Sequence, residues 1–116
     1  MHLGKKLPLA KLDEKMSKAL LTMTKKSFGC IGVINNKNHI VGIITDGDLR
    51  RKLNSKFFDK KASEIMTKNP SVADENMLVG EAINLMNTKK ITSLFVCDKK
   101  IPLGIVHIHD LLRLTS

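Results

Sequence analysis

The stretch Val41-Gly-Ile-Ile-Thr-Asp-Gly-Asp-Leu-Arg-Arg51 decides how the rest of the chain is read. An apolar, β-branched run from Ile40 to Ile44 meets a polar tight turn, and an amphipathic segment starts at Leu49. That order predicts a strand feeding directly into a helix, with Thr45 at the N-cap and Asp48 at the third helical position. The same order returns as Leu103-Gly-Ile-Val-His-Ile-His-Asp-Leu-Leu-Arg113. Gly42 maps onto Gly104, Asp48 onto Asp110 and Arg51 onto Arg113, each shifted by 62 residues.

Working outward, Met16, Ala19, Leu20 and Met23 fall on one helical stripe. Val79, Ala82, Ile83 and Met86 repeat it with a shift of 63. Cys30 to Ile34 predicts a strand, and the turn cluster Asn35-Asn-Lys-Asn38 folds it back onto Ile40 to Ile44 as a hairpin. In the second half, Leu94 to Asp98 turns at Lys99-Lys100 into Leu103 to Val106, and a closing helix runs from Ile108 to Leu114. Short extended pieces are expected near Leu9 and at Ser71 to Ala73.

The expected fold class is therefore α/β (α+β): two β-α-β-β-α half-units with pseudo-two-fold symmetry, residues 1–57 and 58–116, sharing one compact module. Neither half is large enough to bury a core alone. The polar run Ser55 to Lys61 is the expected connector. The second half also has a lead-in, Ala62-Ser-Glu-Ile-Met-Thr67, with a helical turn stopped at Asn69-Pro70. The first half has only Leu3-Gly-Lys-Lys6 before Leu7-Pro8. Its lead-in is thus either truncated or interrupted by a segment lost between Lys6 and Leu7, and the second is the expectation.

Twenty Lys and Arg against 11 Asp and Glu leave a net charge of +9, which favours an anionic partner. The lysines come as scattered pairs, the mark of a solvated face rather than a nucleic-acid patch. With no Trp or Tyr and four Phe, platforms for stacking bases are poorly supplied, so no nucleic-acid partner is expected. No apolar run approaches membrane-spanning length, and the first residues lack a secretion signal. A cytoplasmic protein with no membrane partner is expected. Cys30 and Cys97 sit inside predicted strands without C-x-x-C spacing, as buried free thiols do.

The central turn admits two chemistries. Thr45-x-x-Asp48 fits a capping box that satisfies exposed helix amides. The same turn can serve a phosphorylated ligand, with amides and the Thr45 hydroxyl on the phosphate and Asp48 on two ribose hydroxyls. Asp46 and Asp48 would repel that phosphate unless Arg50, Arg51 and nearby lysines offset them. Asp46-Gly-Asp48 also matches the D-x-D turn of aspartate-nucleophile phosphatases, but the second copy lacks that spacing and no further lysine and acidic metal site follows. His107-x-His109-Asp110 has the spacing of a metal cluster. His107 nevertheless occupies the slot of Thr45, and the simpler expectation is a capping or ligand-contacting His107, an exposed His109 and no metal. No Ser-His-Asp or Cys-His set is present, and no catalytic residue is assigned.

The pattern Gly-h-h-Thr-x-x-Asp at 42–48, repeated at 104–110, resembles paired CBS domains, the tandem regulatory module of many enzymes and transporters. More narrowly, residues 42–51, Ile91-Thr-Ser93 and His107-Ile-His-Asp-Leu-Leu-Arg113 resemble the C-terminal region of bacterial arabinose 5-phosphate isomerases, which make a precursor of Kdo, the sugar acid of lipopolysaccharide. The resemblance implies a regulatory Bateman module without the N-terminal sugar isomerase domain, hence not itself an enzyme. It implies an adenine nucleotide or a sugar nucleotide such as CMP-Kdo as effector, bound between the halves, and no required cofactor. Thr45 and Asp48 would serve one site, and His107 and Asp110 the other. Ile65, Met66 and Val72 would line the second site, with Thr92 and Ser93 facing the cleft. His107 stands where Thr or Ser is usual. The implied partners are the isomerase domain of a parent chain and a second copy, as a homodimer. The alternative function is a dimerisation module that senses nothing.

Overall fold

In the computed structural model the described residues are 2–3, 7–26 and 29–115. They form two units: Pro8–Pro70 is one, and the described residues of Met1–Leu7 and Ser71–Ser116 make up the other.

The first unit carries β2 (Leu9–Lys11), α1 (Met16–Lys26), β3 (Cys30–Ile34), β4 (Ile40–Thr45), α2 (Asp46–Lys52), α3 (Ala62–Ile65) and β5 (Thr67–Lys68). Its sheet runs in the order β2-β3-β4-β5. β2 pairs parallel to β3, and β3 pairs antiparallel to β4 through the Asn35–Asn38 turn. Asn35 holds that turn by accepting the amides of Lys37 and His39 on its side-chain oxygen. The expected stripe of α1 supplies Met16, Ala19 and Met23 to a core that also takes Ile31, Val33 and Ile44 from the sheet.

The second unit contains β6 (Val72–Asp74), α4 (Val79–Lys89), β7 (Ser93–Asp98), β8 (Ile101–His107) and α5 (Ile108–Thr115), with β1 (His2–Leu3) completing its sheet. The strand order β1-β8-β7-β6 matches that of the first unit. Each hairpin slips register at the same place, between Val33 and Ile34 in one and between Val96 and Cys97 in the other. Ala82 and Met86 of α4, Leu94 and Val96 of β7 and Leu111 of α5 are buried together. Each half is thus the expected mix of helix and strand.

The run Ser55–Lys61 is not a plain solvated connector. A 3-10 turn at Phe57–Asp59 drives Phe57 into the first core at 1% exposure, while Phe58 stays outside. Transfer of a phenyl ring from water outweighs the polarity of its neighbours. The first contact unit also runs past the repeat boundary at Phe57 to Pro70, because α3 and β5 pack with it. Ala62 and Ile65 are buried in its core, and β5 pairs with β4 through Ile43–Thr67 and Gly42–Lys68. The lysine Lys52 ties α2 to α3, its Nζ donating to the Ile65 carbonyl at 2.8 Å.

Helix α4 begins after Leu78, and the Asn76 amide closes a local turn on the Asp74 side chain. On β8, β1 takes the slot that β5 takes on β4: His2 pairs with Ile105 and Leu3 with Gly104. The first half has no counterpart of α3 among the described residues. The interruption expected between Lys6 and Leu7 adjoins residues 4–6, which lie outside them. No helix among the described residues is long and apolar enough to cross a membrane.

Candidate functional site

Asp48 is the hub of the first strand–helix turn. It sits in the first turn of α2 and is 1% exposed, an unusual burial for a carboxylate. Both halves of the capping box form. Thr45 Oγ1 accepts the Asp48 amide at 3.4 Å, and Asp48 Oδ2 accepts the Thr45 amide at 3.0 Å and its hydroxyl at 3.2 Å. The other oxygen, Oδ1, accepts the Arg51 guanidinium at 2.7 Å and the Thr67 hydroxyl at 2.8 Å. Burial works to raise the carboxyl's pKa, but the Thr45 amide, the Thr67 and Thr45 hydroxyls and the Arg51 guanidinium outweigh it, holding it below the usual aspartate value. The group is therefore ionised at neutral pH and fixed in direction.

The two carboxylates of the turn part company. Asp46 is exposed and turns toward Gly29, where a β-carbon would stand 3.6 Å from its Oδ2. With Leu20, Met23, Thr24, Gly29 and Leu49 it lines a hollow of about 240 Å³ on the α1 side. Its charge opposes ionisation of Cys30, whose thiol is pushed up to about 12, chiefly by burial. Arg50 is exposed. Arg51 is also mostly exposed, at 66% of its side chain, although its guanidinium reaches the buried Asp48. A long, solvated cation on an enclosed carboxylate can change partners where another donor takes its place.

The second turn repeats the plan with different chemistry. His107 takes the N-cap slot, its Nδ1 accepting the His109 amide at 3.2 Å. In the neutral ring this leaves the proton on Nε2. The rings of His107 and the exposed His109 stack with centroids 4.8 Å apart. Asp110 pairs with Arg113, as Asp48 does with Arg51, but its side chain is 37% exposed against 2%. Ser93 lies directly across from His107 in the sheet and is buried. Thr92 is exposed, and its carbonyl accepts the Ile108 amide at 2.8 Å, fixing where α5 starts. Val72 is half-buried on β6 of the same unit.

Ile65 and Met66, which the resemblance groups with His107, belong to the unit of Thr45 and Asp48. Ile65 is buried in its core, and Met66 lies over Gly42 of β4. The reason is β5, which follows them and is stitched to β4. Sequence reasoning missed Thr67 as a partner of Asp48. A two-residue edge strand has no periodicity to detect, and the Thr of Met66-Thr67 before Asn69-Pro70 was its one signal. Among the described residues no three His, Cys, Asp or Glu side chains converge as a metal-holding group.

The repeat is also visible in comparison with known proteins. The family model for the CBS domain matches residues 4–55 and again 62–116. The chain belongs to the CBS domain family. This CBS pair is 42% identical to an uncharacterized protein, RP505, of Rickettsia prowazekii, over 98% of the chain and 36% of the relative. It is 38% identical to arabinose 5-phosphate isomerase KdsD of Yersinia pestis, over 97% of the chain and 35% of that enzyme. The CBS pair therefore spans about a third of the length of these relatives. Among solved structures, the CBS-pair protein CBSX2 from Arabidopsis thaliana superposes with a TM-score of 0.85 at 25% identity, covering 99% of this chain and 89% of that one. CBSX2 in complex with AMP superposes at 0.83, also 25% identical, over 99% and 91%.

Proposed function

We propose that this CBS pair is the regulatory, non-catalytic module of an arabinose 5-phosphate isomerase, binding a nucleotide or sugar nucleotide that modulates an isomerase domain on the parent chain. The similarity to KdsD over 97% of the chain supports the parentage, and the AMP complex of CBSX2 supports the ligand class. The observation that carries the reading is the Asp48–Arg51 pair. An ionised carboxylate and a guanidinium, 2.7 Å apart and one of them solvent-reachable, are the two groups that a ribose 5-phosphate needs. Ribose hydroxyls donate to Asp48 in place of Arg51, and the released guanidinium meets the phosphate, so the carboxylate stays hydrogen-bonded while the guanidinium gains a new anion.

On this reading Thr45, Asp48 and Arg51 form one contact set, with Arg50 nearby. His107, Asp110 and Arg113 form the corresponding set, with His109, Val72, Thr92 and Ser93 beside it. CMP-Kdo, the pathway product, carries the same ribose hydroxyls and a 5′-phosphate, and on this reading it acts as a feedback signal. Isothermal titration with AMP, ATP, CMP and CMP-Kdo tests the reading. Saturable heat and a thermal shift with one of them is expected, and silence with all four overturns it.

A second reading, a dimerisation module whose turns are only caps, is favoured by Leu21 and Leu78, large apolar side chains 71% and 69% exposed on or beside helices. Thr45→Ala with Asp48→Ala separates the two. Loss of ligand heat identifies sensing, whereas loss of stability alone identifies capping.

A further inference from the structure

We propose that Thr67, outside the Gly-h-h-Thr-x-x-Asp repeat, is a positioning residue that holds Asp48 ready to accept a ribose hydroxyl. The inference rests on the nucleotide reading above and deepens it. Asp48 presents two unlike oxygens. Oδ2 is committed to the Thr45 amide and hydroxyl of its own turn, at 3.0 and 3.2 Å. Oδ1 has one donor from its own helix, Arg51 at 2.7 Å, and one from another element, Thr67 at 2.8 Å. If Arg51 swings away to a phosphate, Oδ1 keeps Thr67.

The backbone makes that partner dependable. Thr67 is paired to Ile43 in the sheet, so its hydroxyl is held by β5 rather than by a long side chain. A hydroxyl on a two-bond tether loses little rotamer freedom, whereas Arg51 must order a long chain for each contact. Thr67 is also exposed, so the place vacated by Arg51 beside it opens toward solvent. The chemistry selects a vicinal diol: one hydroxyl takes over the Arg51 position on Oδ1, and the carboxylate stays ionised and aimed because the Thr67 hydroxyl still donates to it. The hydrogen bonds recorded for Asp48 also include Thr67 among the groups that favour its charged form.

The experiment compares the full chain with Thr67→Val, which keeps the shape and removes the hydroxyl, and Thr67→Ser, which keeps the hydroxyl. Calorimetry with AMP is expected to show about tenfold weaker binding for Thr67→Val, the size of one hydrogen bond to a charged group, and near-parental binding for Thr67→Ser. With 3′-deoxy-AMP the difference between the parent and Thr67→Val is expected to shrink, which a general loss of structure would not produce. The Asp48 carboxyl titration, followed by carbon NMR without nucleotide, is expected to move up in Thr67→Val and return in Thr67→Ser. Parental AMP binding by Thr67→Val, or an unmoved Asp48 titration, overturns the role of Thr67. If the unsubstituted chain gives no heat with AMP, the same comparison is made with whichever of ATP, CMP or CMP-Kdo binds; if none binds, the nucleotide reading falls and the ribose role with it, while the titration still reports whether Thr67 holds Asp48.

Discussion

Met66 lies directly over Gly42: a β-carbon built on that glycine would stand 2.8 Å from Met66 Cγ and 3.0 Å from its Cβ, with the sulfur nearer still. The glycine that marks the repeated motif is there to admit a side chain from the segment after α3. Gly42→Ala is therefore expected to destabilise the protein by about 1–3 kcal/mol, the usual cost of forcing atoms into an occupied space. Met66→Ala in the same chain is expected to recover part of that loss. Urea midpoints of the two single variants and the double variant give the coupling, and strict additivity would mean that the contact is not made.

Phe57 and Phe58 are adjacent in sequence and opposite in environment, at 1% and 48% exposure. Phe57→Ala is expected to cost about 3–5 kcal/mol, as removal of a buried ring does. Phe58→Ala is expected to stay within about 1 kcal/mol of the parent. Thermal unfolding of the two variants side by side decides it, and equal shifts would put Phe57 at the surface.

Asp48 makes stability depend on acid. Its carboxyl is held below the aspartate value of 3.8, so the folded state favours the ionised form more than the unfolded chain does. That contribution is fully present above the unfolded value, about 3.9, and is lost as pH falls through it toward the lower folded value. Asp48→Asn keeps the size and removes the titration. Urea midpoints taken from pH 6 down to pH 2.5 are expected to fall less steeply for Asp48→Asn than for the parent. Parallel curves would show that Asp48 is not the group responsible.

His107 caps α5 through Nδ1 where Thr45 caps α2 through its hydroxyl. His107→Ala is expected to lose about 1 kcal/mol, the usual worth of an N-cap, and His107→Thr to retain it. Denaturant titration of the parent and the two variants reads this effect. A fully stable His107→Ala would mean that the amide of His109 is satisfied by solvent.

Much of this molecule could be read from its residues because both copies of the strand–turn–helix unit carry strong, local signals. The stripe Met16, Ala19, Met23 and its echo Ala82, Met86 are buried as helical spacing requires. Thr45 and Asp48 form the expected box, and Asp110 finds Arg113 as Asp48 finds Arg51. What escaped was set by long-range pairing. Thr67 and Lys68 are two exposed residues with no pattern of their own, and only β4 beside them makes them a strand. Phe57 sits among charges, so its burial follows from the shape of the core rather than from its neighbours. That Ile65 and Met66 belong to the unit of Thr45 was also hidden, because the repeat in the sequence runs out of step with the sheet to which their segment is sewn.

That mismatch has a practical side. A gene trimmed at the repeat boundary after Phe57 would encode a sheet whose outermost strand, β4, has lost the pair of residues that shields its rim. Bare amides and carbonyls along Gly42 and Ile43 would then be open to any passing chain, and a half-length product of this kind should clump on expression where one carried through Pro70 stays dispersed.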